Sequence, residues 1–115
     1  MYDVFEVSRY VINYSNNKRY GVSNLKLQKL LYFIQAYFLI VKKSPCFDSR
    51  IEARDSGVVV PEAHYAYRFF GSCNIPDILS RNISIPISRK DGKRIEQVVD
   101  FFCGLYIIKT VESII

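Results

Sequence analysis

The chain of 115 residues carries 16 Lys and Arg against 11 Asp and Glu, a formal net charge of +5, with 50% of its residues hydrophobic, 15% aromatic and 23% charged. At about 100–200 residues per domain this is a single domain, 1–115, and a chain of that size buries about 65% of its unfolded surface. These figures exclude a multidomain enzyme, a collagen-like or low-complexity protein, a disulfide scaffold and a disordered chain.

The first helix is expected over residues 3–15, where Val4, Phe5, Val7, Val11, Ile12 and Tyr14 recur at mostly helical spacing, with Asp3 to cap it and Asn16-Asn17 to end it. A polar loop from Ser15 to Gly21 carries Lys18 and Arg19. Ser23 or Asn24 caps the next helix, about 24–42. Its apolar residues Leu27, Leu30, Leu31, Ile34, Phe38 and Val41 form one continuous stripe. At about 28 Å long it is expected to be the central element of the domain. Its apolar run Leu30–Val41 spans only about 18 Å against the ~30 Å of a bilayer core, so it reads as a core helix and no membrane is implied. Lys42 and Lys43 suit its C-terminus, and Ser44-Pro45 stops it.

Residues 46–60 read as irregular or short-strand structure, with Ile51 and Ala53 inward, Arg50, Glu52 and Arg54 outward, and a turn at Asp55-Ser56-Gly57. A third helix is expected over 61–70, opened by Pro61, anchored by Tyr65, Phe69 and Phe70, and ended by Gly71. Asp77–Arg81 reads as one helical turn, and Ile83, Ile85 and Ile87 alternate as an edge strand that tolerates Pro86. Asp91-Gly92 is either a hairpin turn or the start of a helix. The spacing of Ile95, Val98, Val99 and Phe102 favours a fourth helix over 93–103, ended by Gly104, with a fifth beginning near 106. The fold class is therefore mainly α: a small single-domain helical bundle around a central helix, with minor short β elements.

Residues 1–60 hold nine basic and five acidic side chains, and 61–115 seven and six. A basic half fits an acidic partner, but no stretch concentrates charge as a DNA-binding arm does, and an ordinary solubility charge is the simpler reading. Cys46, Cys73 and Cys103, spaced by 27 and 30 residues, match no zinc pattern. They read as buried small hydrophobes of a cytoplasmic protein, and no secretory leader is visible. His64 is the single histidine and has no Cys or carboxylate three or four residues away, so no metal or other cofactor is expected.

Two segments together carry a family resemblance: Ser23-Asn24-Leu25-Lys26-Leu27-Gln28-Lys29-Leu30-Leu31-Tyr32-Phe33, and Ile51-Glu52-Ala53-Arg54-Asp55-Ser56-Gly57-Val58-Val59-Val60-Pro61. They resemble the LxKLLYF helix and the EAWxxGPVxP turn of the Panacea domain, the family of SocA-like antitoxins and phage-associated GepA-like proteins. Pro45-Cys46-Phe47 resembles the PLF step between them. The family's Trp is Arg54 here, and the Pro of its Gly-Pro-Val is Val58. Many members continue with a His and a Pro-Trp beyond the position of Ile115, which implies a short C-terminal part. The resemblance implies an antitoxin-like module of a bacterial or phage toxin–antitoxin pair. Such a module neutralises a cognate toxin by binding it and, for at least one member, delivers it to an ATP-dependent protease.

The residues themselves allow a partner surface at two places. Gly57 is suited to a positive φ, Pro61 fixes the first turn of the following helix, and Glu62 complements its positive end. Arg54, Gly57, Val58, Pro61 and Glu62 thus form a candidate rim. Packing against the central helix is the simpler reading for Val59 and Pro61, and the partner reading stays open for Arg54, Val58 and Glu62. Lys26, Gln28 and Lys29 lie off the apolar stripe and should face solvent, with Tyr32 as an amphipathic anchor beside them. The alternative function is a small DNA-binding transcriptional regulator. It rests on the basic loop and helix at 18–29 and on Arg89-Lys90-Asp91-Gly92-Lys93-Arg94, read as a protruding basic turn with four cations in six residues. A hydrolase using Cys or His has no supporting signature: there is no Gly-rich phosphate loop and no GxSxG, so a non-enzyme is expected.

Overall fold

The structure, a computed structural model, describes residues 1–55, 57–77 and 86–114. Helix α1 spans Val4–Asn17 and α2 spans Asn24–Val41. Strands β1 and β2 are Glu52–Arg54 and Gly57–Val59, α3 is Pro61–Ala66, a 3-10 turn covers Arg68–Phe70, and α4 runs over Arg89–Ile114. The fold is mainly helical, and α2 is its centre: it packs against α1, α3, α4 and β2.

Local signals set the ends of the first two helices. The Asp3 carboxylate accepts from the Phe5 N–H at 2.8 Å and caps α1. The Ser23 hydroxyl accepts from the Lys26 N–H and caps α2. Leu27, Leu30, Leu31, Ile34 and Phe38 are fully buried and face Val4, Val7, Val11 and Ile12 of α1 and Ile95, Val98 and Val99 of α4 in one cluster. Val41, the last member of the expected stripe, is instead 49% exposed. It closes α2 at an end of the bundle where Leu39 to Ser44 all lie open.

The third helix is shorter than its sequence pattern. After Ala66 the chain tightens into the 3-10 turn, and Gly71 ends it at φ 56°. Tyr65 and Phe69 are 64% and 90% exposed and anchor nothing in the core. Ala63 is the buried contact, with Tyr67 and Phe70 half-buried behind it. The physical reason is the period: over so short a helix only one face meets α1 and α2, and Ala63 and Tyr67, one turn apart, occupy it. The helical turn expected at Asp77–Arg81 and the edge strand expected at Ile83–Ile87 lie outside the described residues.

The basic hexad is not a turn. It forms the opening turns of α4, and Asp91 is buried at its centre. Gly104 does not end this helix, and the chain that follows is its continuation rather than a fifth helix. A glycine inside a helix costs only about 1 kcal/mol relative to alanine. The buried row of Ile95, Val98, Val99 and Cys103 holds α4 in place up to that point.

A seam of tyrosine–carboxylate bonds joins the N-terminal segment to α4. Tyr2 donates to Asp91 at 2.6 Å, Tyr10 donates to Glu96, and Tyr14 and Tyr20 donate to the two oxygens of Asp100 at 2.6 and 2.7 Å. Tyr10 and Tyr14 are one turn apart, as are Glu96 and Asp100, so α1 and α4 lie parallel and matched turn for turn. Gly92 makes the close approach possible, since a Cβ there would lie 2.5 Å from the Tyr10 hydroxyl oxygen. Gly92→Ala should therefore destabilise by about 1–2 kcal/mol despite alanine's better helix propensity. A urea melt in which this variant gains stability would show that Tyr10 does not pass over Gly92.

The seam also has a pH signature. Burial and Glu96 push Tyr10 up to about 12, and the bond to Asp100, with burial, pushes Tyr20 up to about 12. Tyr14 is raised by burial and by Asp100. Because the folded values lie above the ordinary value of 10.0, the stabilisation is complete below pH 10 and is lost as pH rises through about 12. Stability should fall across that window, and a late-titrating set of tyrosines should appear in the tyrosinate absorbance. Simultaneous titration of all nine tyrosines near pH 10 would show the seam is not formed.

Asp91 titrates at the acid end. Burial opposes its ionisation, but the Tyr2 hydroxyl, Lys42 and Arg94 outweigh it and hold the carboxyl down to about 2.

Candidate functional site

The chain leaves the expected turn as a hairpin. Glu52 pairs with Val59, Ala53 with Val58 and Arg54 with Gly57, antiparallel, and Gly57 sits at φ 115°, a conformation that favours glycine. Ser56 of the turn lies outside the described residues. Ile51 packs on the core as expected, whereas Ala53 is exposed, because the two-stranded ribbon covers α2 chiefly through β2. Val59 and Val60 are buried, and Pro61 opens α3.

The support of this corner comes from beneath. Gln28, expected to face solvent, is fully buried. Its amide oxygen accepts from the Val60 N–H at 2.8 Å, and its amide nitrogen donates to the Asn24 side-chain oxygen at 2.9 Å. Asn24 in turn donates to the His64 carbonyl in α3 at 2.9 Å. Val60 begins α3 without a side-chain cap of its own. A buried N–H without a partner is costly, so an amide from α2 is built into the corner. Gln35, two turns further along the same face, repeats the device. Its oxygen accepts from the Cys46 and Phe47 N–H groups and its nitrogen donates to the Phe47 carbonyl at 2.8 Å.

The structure divides the expected partner residues. Arg54 and Glu62 are exposed, and Gly57, Val58 and Pro61 are half-buried, all on the corner. Arg54 is held by Glu52 at 3.0 Å. Tyr32 stands one turn beyond Gln28, on the corner's flank of α2, 37% exposed and edge-on to Phe33. Lys26 and Lys29 belong elsewhere. With Tyr20, Leu30, Asn74 and Phe102 they line a cleft of about 480 Å³ between α2, α4 and the loop after α1. Lys26 also reaches the Gly21 carbonyl at 3.3 Å.

A further surface was not anticipated. Phe33, Ala36, Tyr37 and Ile40 of α2 face Val98, Phe101 and Phe102 of α4 across an open groove of about 510 Å³. The sequence signal was present: these α2 residues form a second apolar row beside the buried one, making the helix apolar around most of its girth.

For nucleophilic chemistry Cys46 and Cys103 are poorly placed. Burial, reinforced by Asp91, pushes the Cys46 thiol up to about 12, and burial raises Cys103 as well, so both stay protonated. Cys73, expected to be buried, is exposed, because it follows the 3-10 turn at the surface. Among the described residues no group of three His, Cys, Asp or Glu could hold a metal ion, and no helix is long and apolar enough to cross a membrane. Comparison with known proteins finds no matching family model, no matching curated protein and no matching solved structure.

Proposed function

We propose that this chain is an antitoxin-like protein-binding module that works in the cytoplasm, neutralises a cognate toxin by direct binding and passes it to an ATP-dependent protease. The reading starts from the resemblance of the α2 segment and the Gly57–Pro61 segment to the Panacea domain. The observation that carries it is the corner itself: Gln28 and Asn24 lock its backbone from below while Arg54, Val58 and Glu62 stay available above. A surface held rigid before binding loses little entropy on docking, which is what occlusion of another protein's site requires. The mechanism is steric, with no bond made or broken by this chain.

The regulator reading gains less support. Of the basic hexad, Arg94 is tied to the buried Asp91, and the segment is the opening of a helix packed on the core rather than a protruding turn.

Co-expression with the product of the adjacent reading frame tests the proposal. Rescue of growth is expected, and the double charge reversal Arg54→Glu with Glu62→Lys should weaken the complex at least about tenfold while leaving the fold intact. Absence of rescue by the unaltered chain rejects the proposal.

A further inference from the structure

The cleft beside the start of α2 differs from the groove in carrying charge on its own lining. Lys26 and Lys29, three residues apart on one face of α2, both line it. Lys29 is exposed and Lys26 half-buried, and the Lys26 ammonium donates to the Gly21 carbonyl at 3.3 Å, which holds it at the cleft. No Asp or Glu is among the described residues of the lining. The carboxylate behind it is Asp100, which accepts from the Tyr20 hydroxyl at 2.7 Å and, through its other oxygen, from Tyr14 at 2.6 Å. Lys26 and Asp100 act on the Cys103 thiol in opposite senses, so Asp100 offsets part of the Lys26 charge, while Lys29 stands further out on the open side.

The remaining walls are apolar and already in place. Leu30 is 1% exposed, and Phe102, stacked on Phe33 with ring centroids 4.1 Å apart, lines both cleft and groove and so forms the wall between them. Asn74 closes the side at Gly21. A Cβ on Gly21 would lie 2.5 Å from the Asn74 amide nitrogen, and Gly21 sits at φ 69°, so glycine is what lets this wall form. The loop is pinned next to it, where the Ile75 N–H donates to the Val22 carbonyl at 2.8 Å.

We infer that this cleft binds a small aromatic anion, its planar ring against Leu30 and Phe102 and its carboxylate or phosphate head at Lys26 and Lys29. The volume, about 480 Å³, falls within the roughly 300–1,000 Å³ of small-molecule sites, which combine apolar walls with a few placed polar groups. A ring laid against Phe102 gains more than the area it buries. Two ammoniums three residues apart on a helix converge on one anionic head, and as point charges they take a carboxylate or a phosphate alike. The groove beyond Phe102 has no charged residue in its described lining and gives an anion no reason to prefer it. The site shares no residue with the Gly57–Pro61 corner, so it stands or falls separately from the toxin reading.

The test is equilibrium dialysis of the whole chain against three compounds that share one ring: 1-naphthyl phosphate, 1-naphthaleneacetate and the uncharged 1-naphthalenemethanol. The chain has no tryptophan, so naphthalene emission reports the bound fraction without protein background. At least one of the two anions should bind about tenfold or more tighter than the alcohol, with the difference shrinking as salt is raised. The tighter of the two names the head group, and either order supports the inference. Lys29→Glu, at an exposed position, should weaken the preferred anion about tenfold or more and leave the alcohol unchanged, while Lys29→Arg should retain it. Phe102→Leu should weaken all three compounds, and Ile40→Glu, in the groove, should alter none. Equal binding of the three compounds, or retention of neither anion at millimolar concentration, overturns the inference. So does anion binding that is indifferent to Lys29→Glu or lost in Ile40→Glu.

Discussion

Gln28→Met is expected to destabilise the protein by about 2–4 kcal/mol, although it removes almost no volume. The methionine leaves the Val60 N–H without an acceptor and the Asn24 side-chain oxygen without its donor, both in the interior. Each such orphan costs about 1–3 kcal/mol. The loss is local as well as global. Val60 is the residue from which α3 starts, so the Gly57–Pro61 corner should loosen and become a site of proteolytic nicking. The measurement is a urea melt beside limited proteolysis, with Lys29→Met as the surface control, which should stay within about 0.5 kcal/mol of the unaltered chain. If Gln28→Met behaves like that control, the corner is not held from α2, and the proposed function loses its structural basis.

Asp100→Ala should cost a similar amount, about 2–4 kcal/mol, because one carboxylate serves two hydroxyls. Tyr14 and Tyr20 would both lose their acceptor, at 2.6 and 2.7 Å, in half-buried surroundings. Tyr14→Phe and Tyr20→Phe should each cost about 1 kcal/mol alone. In the Asp100→Ala background each should cost close to nothing, since the interaction they test is already gone. Additive losses in this cycle would mean the tyrosines are held by packing and not by Asp100.

The elements were largely legible in the residues. Asp3 and Ser23 cap α1 and α2 as their types predict, and the Leu27-to-Phe38 stripe is the core. Pro61 and Gly71 bracket α3 and its 3-10 turn, and Gly57 takes the positive φ that the turn demanded. These features depend on neighbours within a turn or two, and that range is what periodicity and capping express. Two readings went astray for one reason, and a third was open. Gln28 looked solvent-facing because it is polar and lies off the leucine stripe, Tyr65 and Phe69 looked like anchors because they are aromatic, and of the two readings open at Asp91-Gly92, hairpin turn or helix start, the structure has the helix. Polarity describes a side chain and not its partner. Asn24, Gln28 and Gln35 share one face of α2 with the buried leucines, and that coincidence was the available sign that they serve backbone groups inside the fold.

By itself the sequence determined a mainly helical chain, the central place of α2 and the positions of its turns, because each of those follows from short-range spacing and backbone sterics. The tertiary structure alone decided which amides are buried, that four tyrosines grip three acids more than seventy residues away, and that, among the described residues, a second apolar row of α2 lines an open groove. Those outcomes depend on which surfaces meet once loops have closed, and no local pattern encodes the identity of a partner that arrives from the other end of the chain.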